Sequence, residues 1–269
     1  MPTPPKPDRF HPEIPPPGFE KKLISFWQDR PIITPRMQLV HTNGASREGN
    51  IQSSFNWANQ PGSGHTIPHC QIDRDGRGAM MLPSNRRGIA NYKAAGFSIA
   101  FETADTGYLD DPSISAFTDK QAESVAVALA YYSWGHKIPL VYPSAWDGTG
   151  SACHTEPFAY PYWTNSNGKI CPGLKKKAQM RSLILPRARE ILGAWLAPPP
   201  VLEDDMLVNA ATLASVKSAP SVAAVEAGDE ATSRWLQQAL VKALLFQVTG
   251  STEYTQAAAE KLNAIVSQP

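Results

Sequence analysis

The chain has 269 residues, 42% of them hydrophobic and 18% charged, which is enough to bury a sizeable core and too apolar for a disordered polyelectrolyte. Its 25 Lys and Arg residues nearly balance 24 Asp and Glu, so a net charge of +1 leaves no field to hold a polyanion, and neither nucleic acid nor a membrane is an expected partner. Three cysteines, Cys70, Cys153 and Cys171, allow one disulfide at most, which excludes a disulfide-stapled scaffold and favours a reducing birthplace.

Residues 1–22 are rich in proline and read as an extended N-terminal arm. They contain no apolar h-region, so no export signal is expected, and no later stretch approaches the roughly 20 uninterrupted apolar residues that span a bilayer. From Pro31 onward, alternation predicts three strands: Met37–Val40 ending at His41, Cys70–Asp73 entering the turn Arg74-Asp-Gly76, and Phe97–Glu102. Thr118-Asp-Lys-Gln121 has the form of a capping box. Ala122, Val125, Ala126, Leu129 and Ala130 then recur at helical spacing, with Gly135 as the predicted stop.

A second helical stretch runs from about Leu174 to Leu196, its continuity left open by Pro186, and meets Ala197-Pro-Pro-Pro200. Beyond those prolines the composition shifts towards alanine. Helices are predicted over Asp204–Ser218, from Asp229 to Gly250 and from Ser251 to Val266. The organisation is therefore an arm (1–22), an α/β domain with a mixed central sheet flanked by helices (23–197), a proline linker (198–202) and a small helical domain (203–269).

His41, His154 and Cys171 offer two imidazoles and a thiolate from segments far apart in the chain. Catalytic zinc needs about three protein ligands and an open position for water, which this inventory suits, although scattered polar residues would give the same inventory. His65 and His69 stand four apart, but Gly62, Gly64 and Pro68 argue against the helix that would make them a metal pair. Substrate-lining or structural roles remain for both, with His69 also readable as a satisfied core histidine. Cys153 reads as a buried free thiol, and Lys175-Lys-Lys177 as a solvated helix face.

Four segments occur in order: Leu39-Val-His-Thr42, His69-Cys-Gln-Ile-Asp-Arg-Asp-Gly76, Ser98-Ile-Ala-Phe-Glu102, and His154 followed by Lys169-Ile-Cys-Pro-Gly173. Together, over about Val40 to Trp195, they resemble the zinc N-acetylmuramoyl-L-alanine amidases that include bacteriophage lysins and peptidoglycan recognition proteins. The resemblance implies Zn2+ on His41, His154 and Cys171. It implies Glu102 as general base and Lys169 as the cation facing the developing oxyanion. Pro68 stands where some members carry a catalytic tyrosine, which puts more weight on Glu102; a structural pairing of Glu102 with Arg86 or Arg87 is the other reading. The stretch between His154 and Lys169 is longer than the family usually has and adds Phe158, Tyr160, Tyr162 and Trp163, which either line a glycan groove or hold the segment together. Substrate contacts are assigned to His65, His69 and Trp163.

The implied function is a peptidoglycan hydrolase, a phage endolysin that cuts the amide between N-acetylmuramic acid and L-alanine, with the muropeptide stem and glycan as partner. Such a chain would stay in the host cytoplasm until released to the wall, or travel with the virion. Two other readings are a non-catalytic muropeptide-binding module, whose mark would be loss of the thiolate, and a structural virion-associated protein. The sequence carries no signal of oligomeric state.

Overall fold

In the computed structural model, which describes residues 2–43, 50–60, 65–105, 116–156, 159–164 and 171–197, the two longest strands are β2 (Met37–Thr42) and β5 (Ser98–Thr103). Every residue of both is buried, as expected where parallel strands are covered on both faces. Around them lie β1 (Phe19–Lys21), β3 (Cys70–Ile72), β4 (Gly78–Met80) and β6 (Gly150–Cys153), in the sheet order β1-β4-β3-β5-β2-β6. The β3–β4 pair is antiparallel and the other pairings are parallel, so the expected mixed sheet is present.

Register sorts the side chains into two faces. Val40, Cys70, Ile72, Ile99, Phe101 and Cys153 face helices α2 (Asp119–His136) and α4 (Leu185–Leu196) in one continuous core. Met37, Leu39 and Ala152 face the other way, into a smaller cluster with Ala94, Ala159 and Trp163. Helix α1 (Ile51–Ala58), capped by the Asn50 side chain, covers Ala79 and Met81 on that same side.

The capping box at α2 is half formed. Thr118 Oγ1 accepts from the Gln121 amide at 3.1 Å, but the Gln121 side chain donates to the carbonyls of Ile72 and Ala104, tying the helix to the sheet instead of closing on its own N-cap. Nor does Gly135 stop the helix, which runs to His136 and ends at Lys137 in the left-handed region (φ 60°). The glycine is there for room: a Cβ at 135 would stand 2.1 Å from the Phe10 ring. Pro186 does not break its helix either. A π-helical turn over Met180–Ile184 joins α3 (Leu174–Gln179) to α4 just ahead of the proline, and the wider turn relieves the crowding of the ring on the preceding carbonyls.

Residues 2–22, the expected arm, belong to the same compact unit as the α/β domain, which runs to Leu196. β1 lies parallel to β4, and the Phe10 ring packs on Tyr131, Trp134 and His136. Proline supplies no amide hydrogen but keeps its carbonyl, and donors from the body of the fold use those carbonyls: Trp195 Nε1 to Pro4 O (2.9 Å), Arg187 to Pro2 O (3.1 Å) and the Ser84 amide to Pro12 O (3.0 Å). The linker 198–202 and the helices expected over 203–269 lie outside the described residues. Among the described residues no helix is long and apolar enough to cross a membrane.

Gly135→Ala should destabilise the protein by about 1–3 kcal/mol through overpacking against Phe10. In a Phe10→Ala background the same change should stabilise by up to about 1 kcal/mol, since only helix propensity then acts. Urea titrations of the four proteins measure both, and equal effects in the two backgrounds would detach the N-terminal strap from α2.

Candidate metal centre

β2 delivers His41 on the face away from α2, and the register of β2 with β6 pairs Val40 with Cys153, so the next residue, His154, arrives beside it. The His154 amide donates to Val40 O at 3.0 Å, and the two imidazoles stack with centroids 4.0 Å apart. Cys171 closes the group from a separate loop, its Sγ accepting from the Thr42 amide at 3.3 Å. One donor atom from each of His41, His154 and Cys171 lies within 4.8 Å of the others, and all three residues are buried.

Neighbouring groups fix the histidine tautomers. Asn91 Nδ2 donates to Ser98 Oγ, which donates to Ala94 O, so Asn91 Oδ1 is the acceptor that meets His41 Nε2 at 2.5 Å. His154 Nε2 meets the Trp163 carbonyl at 2.6 Å, and a carbonyl can only accept. Both rings therefore carry their proton on Nε2 and their lone pair on Nδ1, the form a metal ligand needs, held by the kind of outer partners that orient ligating histidines. Two such imidazoles and one thiol form a donor set suited to tetrahedral zinc with one position left for water.

Glu102 is the register partner of His41 on β5 and points to the same face, its Oε1 3.8 Å from His41 Nδ1. Gln71 of β3 stands in register on its other side and is fully buried. Arg86 is committed elsewhere, donating to the carbonyls of Gln28 and Arg30 and lying over the Trp27 ring.

Other site assignments change. His69 is fully buried with both nitrogens used, Nδ1 accepting from the Ala100 amide (3.0 Å) and Nε2 donating to Arg86 O (2.7 Å). Burial lowers its pKa to about 4, so it is a neutral core histidine and not a substrate contact. Trp163 is likewise fully buried, its indole donating to Trp146 O at 2.7 Å, and it holds the segment and His154 rather than lining a groove. His65 does sit near the surface, its ring against the half-exposed Trp57. Tyr162 stacks on Trp146 (3.9 Å, 11°), while Lys169 and Phe158 lie outside the described residues.

The lysine run is not a solvated face. Lys175 is exposed, but Lys177 donates to Thr155 O, and Lys176 is fully buried, its ammonium 3.2 Å from each of Thr42 Oγ1, Thr103 Oγ1 and Asp105 Oδ2. Burial lowers its pKa while the Asp105 carboxylate works against that. Cys153 is the buried free thiol expected, pushed up to about 12 by burial. Asn91, Thr42, Asp105 and Lys176 were not visible as site residues in the sequence, since each gains its role from a strand or loop met only in three dimensions.

No family model and no curated protein matches the sequence. The solved structures it is similar to include an endolysin N-acetylmuramoyl-L-alanine amidase, LysCS, from Clostridium intestinale (14% identity, 65% of this chain and 95% of that one, TM-score 0.44). Others are the Staphylococcus aureus hydrolase AmiA in complex with its ligand (13%, 69% and 89%, TM-score 0.46) and the bumblebee peptidoglycan recognition protein SA (12%, 62% and 96%, TM-score 0.42).

His69, with its pKa lowered from 6.5 to about 4, binds a proton less readily in the folded chain than in the unfolded one. Stability therefore falls as pH drops through that window and is restored above it, and His136, also lowered to about 4 by burial, acts in the same direction. Urea unfolding at pH 7 and pH 5 should show the His69 share as a loss of about 2 kcal/mol at the lower pH. That share should be absent in His69→Gln; an unchanged difference would place the titration elsewhere.

Proposed function

We propose that the chain is a zinc-dependent N-acetylmuramoyl-L-alanine amidase acting on peptidoglycan, released to the wall as an endolysin. The observation that carries this reading is the convergence of His41, His154 and Cys171, each placed by one of the motif segments, with Glu102 beside them. Cys171 within the cluster supports hydrolysis over the binding-module alternative, for which the thiol would be dispensable.

Zinc, which His41, His154 and Cys171 would hold, would supply a water acidic enough to be a nucleophile near neutral pH and a Lewis acid for the carbonyl. The protein's own groups do the rest. Asn91 and the Trp163 carbonyl keep both imidazoles in the ligating tautomer. Glu102 takes the proton from the attacking water at its carboxylate and passes it to the leaving L-alanine nitrogen. Lys169, two residues before Cys171 in the sequence, is assigned as the cation that stabilises the oxygen on which negative charge develops. The susceptible bond is the lactyl amide, so a new amino terminus is released for each bond cut.

Purified protein should contain about one zinc per chain, lost in His41→Ala/Cys171→Ser, and should release amino termini from cell walls. Glu102→Gln and Lys169→Ala should each lower turnover by about 10²- to 10⁴-fold with zinc retained. Zinc undiminished in the double variant, or near-normal turnover in Glu102→Gln, would overturn the assignment of ligands or of base respectively.

A further inference from the structure

Among the described residues, the fully buried cation beside this site is Lys176, and it belongs to no step described above. Lys176 lies in the first turns of α3, just after Cys171-Pro172-Gly173, and its ammonium crosses to the ends of β2 and β5. There it meets Thr42, Thr103 and Asp105 at 3.2 Å each, while the Phe117 ring lies 5.0 Å away. The network is closed: Thr42 Oγ1 donates to Asp105 Oδ2 at 2.8 Å, and Thr103 Oγ1 donates to His41 O at 2.6 Å.

Its position relative to the metal centre is specific. Thr42 and Thr103 are register partners one residue beyond His41 and Glu102, so the network grips from the helix side the same strand ends that present those two side chains on the opposite side. The amide of Thr42 is also the donor to Cys171 Sγ. One side chain thereby links the loop carrying Cys171 to the strand carrying His41. A pair of apolar residues would hold a helix to a sheet at least as well as a buried ion pair does, so anchoring alone gives no reason for a charge here.

We propose that Lys176 is a positioning residue for the metal centre: with Asp105 it fixes the end of β2 so that the Thr42 amide meets Cys171 Sγ and the three donor atoms stay converged. This rests on the reading of His41, His154 and Cys171 as metal ligands. Outer groups of this kind set metal affinity by about 10- to 100-fold.

The test uses the full chain and reads metal directly. Zinc dissociation constants are measured by chelator competition, and cobalt(II) is substituted to read its thiolate charge-transfer band. Lys176→Met should weaken zinc binding by about 10- to 100-fold and shift or diminish that band. Asp105→Leu/Lys176→Met replaces the pair by apolar groups, regains the stability of the metal-free protein, and should still bind zinc weakly; it carries the test should Lys176→Met fail to fold. Wild-type affinity and an unchanged cobalt spectrum in the paired variant would overturn the inference and reduce the network to an anchor. A wild-type chain that takes up neither zinc nor cobalt would overturn the metal reading itself, and this inference with it.

Discussion

The parallel pairing of β2 with β5, from Met37 opposite Ser98 to Thr42 opposite Thr103, is the constraint on which the rest depends. Because side chains alternate strictly along a strand, one register fixes two sets of neighbours at once. His41 and Glu102 come together on one face while Thr42 and Thr103 come together on the other. A slip of β2 by one residue would turn its side chains over, placing the imidazole against α2 and away from the carboxylate, and breaking the Lys176 network in the same step. Site and support are thus specified by the same hydrogen-bond ladder.

Burying so many polar groups at one end of a sheet is unfavourable unless each is partnered. At the two imidazoles the fold meets this with groups that have no freedom to answer otherwise. The Trp163 carbonyl can only accept from His154, and Asn91, held by Ser98, can turn only its oxygen to His41. The bulky indole of Trp163 fills the space beside Leu39 and Ala152, so an apolar contact decides where its carbonyl lies. Packing determines protonation here: the tautomer of His154 follows from where a tryptophan fits.

The sequence revealed those parts of the site whose spacing is local. The Leu-Val-His ending of β2, the Ser-Ile-Ala-Phe-Glu strand and the His…Cys-Pro-Gly pairing were readable, and they carried His41, His154, Cys171 and Glu102. Less legible were β1, β4 and β6, three or four residues long and too short for a period of two to register, with Gly78 and Gly150 diluting the signal. Lys176 was hidden by its neighbours, since a run of three lysines reads as solvent-facing although a helix turns each to a different side. The proline arm is legible only in part for a related reason: its composition shows few amide donors but not which groups its unshared carbonyls serve, and those are Trp195, Arg187 and Ser84.

The three cysteines show how far environment outweighs identity. Cys70 and Cys153 point to the helix side, each beside a phenol (Tyr132 at 3.3 Å, Tyr142 at 3.7 Å), and burial pushes both thiols up to about 12. At neutral pH they remain protonated, apolar core residues. Cys153 is covalently next to His154, yet strand alternation turns it away from the imidazoles that its neighbour joins. Cys171 comes from a loop, escapes that alternation, and meets an amide donor with two imidazoles close by. The residue before His154 cannot join the imidazoles, because a strand that presents His154 to one face must send the adjacent residue to the other, and the thiol that does meet them comes from a loop.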